Sequence, residues 1–137
     1  MQTNASSDFR TAPDRAPTIL VVEDEVTTRF CLSEHLAECG FAVMEASDAV
    51  GAVSILMDFD TPVDVVFSDV SMPGPMDGLG LARWVHNHRP DVPVILTSGL
   101  SQKVIEAKAL GEEIGPTVLP KPYDLDDVER RIRGLLE

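Results

Sequence analysis

Four polar groups follow four short apolar runs of the chain: a pair of acids, a single acid, a hydroxyl and an amine. They are Glu23 and Asp24 after ILVV, Asp69 after VVFS, Thr97 after VIL, and Lys121 after VLP. If these runs are parallel strands of one α/β sheet, their carboxyl ends meet at one crevice, where such folds bind ligands. Clustered carboxylates suit a divalent cation, whereas a hydroxyl and an ammonium suit an anion. The pattern therefore predicts a pocket that holds a metal and a phosphoryl group on Asp69.

The acids of this pocket have the composition of a magnesium site. A carboxylate that attacks a phosphoryl donor meets charge repulsion, which Mg²⁺ held by neighbouring carboxylates relieves. Mg²⁺ prefers octahedral oxygen ligation and keeps several waters, so one or two carboxylates and a backbone carbonyl suffice. We expect Asp24 and Asp69 to bind directly and Glu23 to act through water. Ser71 is expected to supply its backbone carbonyl.

The two remaining groups are expected to bind the phosphoryl oxygens. Lys121 offers a compact ammonium, and Thr97 offers a hydroxyl hydrogen bond. Each feature alone has an ordinary structural explanation, since acids cap helices or occupy their first turn and Lys-Pro is often only a turn. Their joint occurrence at successive strand ends favours one phosphoryl-binding site.

The segments that carry these groups alternate between strand-like and helical patterns. Five βα units in series predict an α/β fold with a doubly wound, mainly parallel five-stranded sheet and helices on both faces. Gly40 is expected to end the first helix and Asp77 to begin the third. The predicted strands span 18–22, 41–45, 64–68, 93–97 and 116–119, and the predicted helices span 25–39, 48–58, 77–88, 100–110 and 124–136.

Apolar periodicity supports the helices. In the first helix Leu32, Leu36 and Cys39 recur at helical spacing, and Val26 and Phe30 belong to an adjoining apolar strip. Two other helices show one apolar face each. These faces comprise Leu81, Trp84, Val85 and His88 in the third helix, and Leu125, Val128, Ile132 and Leu135 in the last.

The chain's size and charge exclude several classes of protein. Its 137 residues suffice for one domain, expected over residues 17–137 after a flexible tail of residues 1–16. No apolar run approaches the length of a membrane span, and the N-terminus lacks the apolar core of a secretory signal. The net charge of −12 opposes direct binding to nucleic acid or to an anionic membrane. We expect a cytoplasmic protein.

The cysteines and histidines show no metal-binding spacing in the sequence. Cys31 and Cys39 lie eight residues apart in one predicted helix, which suits neither a metal knuckle nor a disulfide framework. They are interpreted as reduced residues of the core or its boundary. His35, His86 and His88 are interpreted as residues of helix surfaces.

With these residues in place, the sequence resembles the receiver domain of two-component response regulators, similar to the chemotaxis regulators. The resemblance covers residues 17–137 and rests on four motifs. They are ILVVEDE at 19–25, VVFSDVSMPGPMDG at 65–78, VILTSG at 94–99 and LPKPY at 119–123.

The resemblance implies a flavodoxin-like fold with strand order 2-1-3-4-5 and a cis peptide between Lys121 and Pro122. It implies Asp69 as phosphoacceptor, Glu23 and Asp24 as the acidic pair, Thr97 as the switch hydroxyl and Lys121 as the phosphate partner. The implied partners are a histidine kinase or histidine phosphotransfer protein and a downstream target or output domain. Signalling is expected through the fourth helix, fifth strand and fifth helix, which is also a possible homodimer surface.

Three positions depart from the family pattern. Val118 stands where the family often carries an aromatic residue that turns inward on activation, so the signal must be read out differently. Pro75 makes the loop after Asp69 one residue longer. The segment 110–116, bounded by Gly111 and Gly115, suggests a shortened or mobile fourth helix.

The predicted function is that of a phosphorylation-switched receiver, either stand-alone or part of a larger regulator or hybrid kinase. It would catalyse only its own phosphorylation and dephosphorylation. One alternative is a metal-dependent phosphohydrolase of the haloacid-dehalogenase type, but Ser71 occupies the place of its general acid. A second alternative is a pseudo-receiver that acts only as a binding module.

Overall fold

The computed structural model describes residues 15–99 and 101–137, and within them strands and helices alternate along the chain. The predicted tail, residues 1–16, lies almost wholly outside the described residues. The strands are β1 Thr18–Val22, β2 Ala42–Ala46, β3 Val65–Asp69, β4 Val94–Ser98 and β5 Thr117–Pro120. The helices are α1 Val26–Glu38, α2 Ala49–Leu56, α3 Gly78–His88, α4 Ser101–Ile114 and α5 Leu125–Leu136.

The strands form one parallel sheet with the order β2-β1-β3-β4-β5, which confirms the predicted topology. Every residue of β1, β3 and β4 is buried. Their nearly continuous apolar sequences are explained by this position, because helices cover both faces of a doubly wound sheet. The carboxyl ends of β1, β3, β4 and β5 therefore lie along one edge.

Two apolar cores lie on opposite faces of the sheet, because successive side chains of a strand alternate between faces. Ile19 and Val21 of β1 pack in the core that includes residues of α1 and α5. Leu20 and Val22 pack in the core that includes residues of α2, α3 and α4. None of the described helices is long and apolar enough to cross a membrane.

The helix ends follow local sequence signals. Glu25 caps α1, since its carboxylate accepts a hydrogen bond of 2.7 Å from the Thr28 backbone N–H. Gly40 follows α1 with a φ of 98°, which confirms its predicted role because this left-handed conformation favours glycine. Asp77 caps α3 by accepting from the Gly80 N–H at 3.0 Å, also as predicted.

The fourth helix differs from its prediction. It continues to Ile114 instead of ending near residue 110, so the expectation of a shortened helix is wrong. Gly111 lies inside the helix, where glycine lowers stability without forcing an end. The helix ends only before Gly115, whose φ of 94° is outside the helical region.

The apolar strip predicted beside the buried face of α1 is exposed. Leu32 and Leu36 are buried as expected, but Val26 and Phe30 remain 65% and 59% exposed. In α3, Leu81 and Val85 are buried, whereas His88 lies at the surface and its ring stacks on that of Trp84 at 4.4 Å. The apolar periodicity of the sequence predicted the helices correctly but predicted buried faces wider than those observed.

Candidate functional site

Asp69 is the last residue of β3 and is only 7% exposed. The Lys121 ammonium lies 2.9 Å from its Oδ2 atom, although 52 residues separate the two in the chain. The Ser71 backbone N–H donates to its Oδ1 atom at 3.3 Å. The Asp69 carboxylate is thus held from two directions, and Lys121, which was predicted to bind phosphoryl oxygens, contacts the carboxylate itself.

The acids after β1 lie beside Asp69. Carboxylate oxygens of Glu23, Asp24 and Asp69 all lie within 4.8 Å of one another, with Glu23 buried at 4% exposure and Asp24 exposed. Burial raises the pKa of the Glu23 carboxyl above its usual value, and the Asp69 carboxylate adds to this rise. The cluster therefore concentrates negative charge that the single ammonium of Lys121 does not balance, and its oxygens are the ligands that Mg²⁺ prefers.

Local contacts hold the buried Glu23 in place. Its Oε2 atom accepts a hydrogen bond of 3.0 Å from the Glu25 backbone N–H, and its carbonyl oxygen accepts one of 2.7 Å from Arg29. Arg29 also pairs with Glu45 of β2 at 3.0 Å. The Arg29 guanidinium therefore ties α1 to the end of β1 and to the neighbouring strand.

Thr97 lies opposite Asp69 in the register of β3 and β4 and is 1% exposed. Its carbonyl oxygen accepts from the Val70 N–H at 2.9 Å. The structure thus brings Asp69, Glu23, Asp24, Lys121 and Thr97 to one edge of the sheet. The predicted role of the Ser71 carbonyl as a metal ligand stays a prediction, because the contact described for Ser71 is made by its N–H.

Gly78 is a site residue whose role the sequence did not reveal. A Cβ atom there would lie 2.2 Å from the Asp69 carbonyl oxygen and 2.7 Å from the Val70 Cα atom. Its N–H donates to the Val70 carbonyl oxygen at 2.8 Å, which closes the loop that follows Asp69. Within that loop Pro75 is exposed and follows Gly74, whose φ is 103°. The only signal of the Gly78 role in the sequence was that a glycine directly follows the helix cap Asp77.

Tyr123 is a second residue of the site to which the sequence analysis assigned no role. Its ring packs edge to face on Phe67 at a centroid distance of 5.8 Å. Burial, followed by the charges of Glu23 and Asp69, raises the pKa of its phenol to about 12. Together with Lys121 and Pro122, joined by the expected cis peptide bond, it lines an open cleft whose other walls are Thr28 and Gly99.

This fold and site are those of a phosphoryl-signalling domain. The family model for the response regulator receiver domain matches residues 19–133, so the chain belongs to that family. Phosphoryl acceptance is the standard function of receiver domains in two-component systems. The resemblance seen in the sequence is confirmed.

Curated relatives agree with the assignment. The chain is 35% identical over 120 residues to the sensor kinase CckA of Brucella abortus, covering 88% of this chain and 12% of that protein. It is 34% identical over 123 residues to the aerobic respiration control protein ArcA of Escherichia coli, covering 89% of this chain and 49% of that protein. The chain therefore spans at most about half the length of these relatives.

A solved structure shares the fold. The response regulator TrrA of Thermotoga maritima, crystallised in complex with Mg²⁺ and BeF, superimposes with a TM-score of 0.75 at 26% identity. The match covers 87% of this chain and 98% of that one. Receiver domains bind Mg²⁺ in an acidic pocket, and the cluster of Glu23, Asp24 and Asp69 has the composition and charge for such a site.

Proposed function

We propose that Asp69 accepts a phosphoryl group from the phosphohistidine of a histidine kinase or of a histidine phosphotransfer protein. The observation that carries this proposal is the pairing of buried Asp69 with Lys121 at 2.9 Å beside the acidic cluster. Phosphoryl transfer of this kind requires three things, and the site has them all: a carboxylate nucleophile, a cation for the phosphoryl oxygens and further acids for a metal.

The chain's own groups account for the transfer. A carboxylate oxygen of Asp69 attacks the phosphorus, the new O–P bond forms, and the N–P bond of the donor breaks. The electron pair of that bond stays on the imidazole nitrogen, which takes a proton from solvent. Lys121 then moves its contact from the carboxylate to a phosphoryl oxygen, and Thr97 donates its hydroxyl to another. Loss of the phosphoryl group to water, which regenerates Asp69, belongs to the same proposal.

The metal part of the proposal assigns Glu23, Asp24, Asp69 and the Ser71 carbonyl as the Mg²⁺ site. Bound Mg²⁺ supplies positive charge for the phosphoryl oxygens as the negative donor and the carboxylate approach each other. Burial, and then the charge of Asp69, raises the pKa of the Glu23 carboxyl, so a cation at this site would relieve an ionised group that the fold leaves poorly solvated. Asp24 is exposed and so is accessible to an ion that enters with its waters.

Exposed apolar side chains beside the pocket suit a protein donor. Val26 and Phe30 follow the acidic cluster in the first turns of α1, and their side chains are exposed outside the core. Exposed apolar groups next to a reactive site are typical of a protein-binding surface. We therefore place the kinase or phosphotransfer protein against this part of α1, with its phosphohistidine directed into the cleft at Lys121.

The output surface of the proposal is the face formed by α4, β5 and α5. Thr97 pairs with Leu119 across β4 and β5, and the neighbouring pair is Leu96 with Val118. Val118 is half-buried against the core that includes α4, so a shift of Thr97 reaches α4 through aliphatic packing and without an aromatic side chain. A downstream protein, an output domain or a second copy of the chain would read this face. A cytoplasmic location is part of the proposal.

Intact mass after incubation with acetyl phosphate tests the proposal. One phosphate adduct should appear with Mg²⁺, and it should be absent when EDTA replaces Mg²⁺ or when Asp69 is changed to Asn. Binding of beryllofluoride, followed by the fluorescence of the single tryptophan, Trp84, provides the control for donor selectivity. Failure of both measurements on the folded chain would leave it as a receiver that only binds partners.

A further inference from the structure

A second cluster of metal-binding side chains lies between α1 and α5, and it shares no residue with the acidic pocket. His35, Cys39 and Glu129 each offer one ligand atom, and these atoms all lie within 4.8 Å of one another. His35 and Cys39 stand four residues apart, so both project from the same side of α1. Glu129 approaches from α5. The phosphoryl chemistry uses none of these side chains.

The separation of the His35 and Cys39 ligand atoms matches that of a tetrahedral transition-metal site. Zinc binds histidine nitrogen at about 2.0–2.1 Å and cysteine sulfur at about 2.3 Å, which at the tetrahedral angle separates the two atoms by about 3.6 Å. The His35 Nε2 and Cys39 Sγ atoms lie 3.6 Å apart. Asp126, one turn before Glu129, has an Oδ1 atom 3.8 Å from the same His35 nitrogen, and a rotation of its exposed side chain would complete the set of ligands.

The surroundings hold these side chains in a half-buried crease. Arg133 donates to the Glu129 carboxylate at 2.9 Å and to the Cys39 carbonyl oxygen at 2.7 Å, and its guanidinium lies 4.7 Å from the centre of the Phe41 ring. Glu129 is thus oriented by a cation that is itself packed. Cys39 is the C-terminal cap of α1, where the helix dipole favours a positive charge.

The charges also suit a divalent ion. A Cys39 thiolate with Glu129 and Asp126 carries three negative charges, and Arg133 returns one positive charge, which leaves two for the metal to neutralise. In the metal-free chain the thiol is protonated, since burial and then the hydrogen bond with Glu129 raise the pKa of Cys39. Metal binding therefore forms the metal–sulfur bond as the S–H bond breaks and the proton goes to solvent.

We propose that His35, Cys39 and Glu129, with Asp126 as the fourth ligand, form a zinc-type metal site that joins α1 to α5. The combination of sulfur, nitrogen and oxygen ligands selects Zn²⁺ over Mg²⁺ or Ca²⁺, which prefer oxygen alone. The site is independent of the proposed phosphoryl chemistry, because it requires neither Asp69 nor Mg²⁺.

Titration with Co²⁺ in excess Mg²⁺ and a non-thiol reductant tests the site. Thiolate ligation of Co²⁺ produces a sulfur-to-metal charge-transfer band, to which the acidic pocket contributes nothing because it contains no sulfur. We expect one equivalent of Co²⁺ to develop the band and Zn²⁺ to displace it. Cys39→Ser should abolish the band, and His35→Gln and Glu129→Gln should each weaken Co²⁺ binding at least tenfold.

The chain provides a matched control for each ligand. Cys31 is an exposed cysteine on the same helix, and His86 is a surface histidine of α3. Cys31→Ser and His86→Gln should leave the band and the affinity unchanged, and equal melting temperatures in EDTA should show that every variant is folded. The absence of a thiolate band, its dependence on Cys31, or its indifference to both His35→Gln and Glu129→Gln would overturn the proposal.

Discussion

At the scale of single residues, the acidic pocket combines burial with unbalanced negative charge, and the pKa of the Tyr123 phenol is sensitive to both. Its phenol pKa is raised to about 12 because burial and then the charges of Glu23 and Asp69 disfavour the phenolate. Tyr123 is the single tyrosine of the chain, so phenolate absorbance measures this group alone. Up to the onset of alkaline unfolding, an alkaline titration should show almost no phenolate at pH 10.

The same titration, repeated on a Glu23 variant, separates the effect of charge on the Tyr123 pKa from the effect of burial. Glu23→Gln removes one negative charge and keeps an oxygen that can accept from the Glu25 N–H, so the pKa of Tyr123 should fall below that of the native chain. Because the folded-state pKa is raised, the neutral phenol stabilises the fold below about pH 10, and this stability is lost as the pH rises toward 12. A phenol that titrates near pH 10 while the chain is folded would contradict this description.

Gly78 leads to a second prediction at this scale. The added methyl group of Gly78→Ala would meet the backbone of Asp69 and Val70, which cannot yield as a flexible side chain would. We expect a loss of at least about 2 kcal/mol in the free energy of unfolding, in line with overpacked interiors. Urea denaturation measures the loss.

Gly134 provides the matched control. It lies in α5, where a Cβ atom would have nothing within 4 Å, so Gly134→Ala should stabilise the chain by roughly 0.5–1 kcal/mol through helix propensity. Equal effects of the two substitutions would show that the close approach at Gly78 is unimportant.

At the scale of elements, α1 has a buried side and an exposed apolar side. Leu32 and Leu36 anchor it in the core, whereas Phe30 is 59% exposed on the helix that follows the acidic cluster. Phe30→Ala should therefore reduce the rate of phosphotransfer from a histidine kinase at least fivefold and leave phosphorylation by acetyl phosphate unchanged. Quenched-flow transfer from a purified phosphorylated kinase measures the first rate, and intact mass measures the second.

Phe59 serves as the control for this prediction. It is equally exposed, at 61%, but lies between α2 and β3, at the edge of the sheet opposite the pocket. Phe59→Ala should leave both rates unchanged. A kinase rate that falls equally in the two variants, or in neither, would exclude the α1 surface as the docking site.

Much of the arrangement of strands and helices could be predicted from the sequence. Strand-like runs with a polar residue at the end indicate the parallel sheet, and the sheet brings Asp69, Thr97 and Lys121 together by topology alone. The end of α4 could not be predicted, because Gly111 is tolerated inside a helix. The proximity of Gly78 to Asp69 and the position of the Tyr123 ring depend on three-dimensional packing between segments, which local patterns do not contain.

At the scale of the whole molecule, metal binding in the pocket is expected to change the stability of the chain. Without metal, the raised pKa of Glu23 means that its ionised form destabilises the fold, so Glu23→Gln should increase stability at pH 7. With Mg²⁺ at about 100 times its dissociation constant, the native chain should gain about 2.7 kcal/mol. The gain should be much smaller in the variant.

Thermal unfolding in EDTA and in Mg²⁺ measures both effects, and the order of the two melting temperatures should reverse between the buffers. Asp60→Asn is a suitable control, since this exposed acid lies outside the acidic cluster. An increase in melting temperature with Mg²⁺ that is the same in the native chain and in Glu23→Gln would place the metal elsewhere.

The central claim is that Asp69 is the phosphoacceptor, and chemical mapping of the acyl phosphate tests it most directly. Borohydride reduces an aspartyl phosphate to homoserine, which peptide mass spectrometry locates in the sequence. After phosphorylation with acetyl phosphate and Mg²⁺, the account predicts homoserine at position 69 and unmodified aspartate at position 24. Homoserine at another acidic residue, or a stable phosphate on a hydroxyl such as Thr97 with Asp69 unchanged, would contradict the claim.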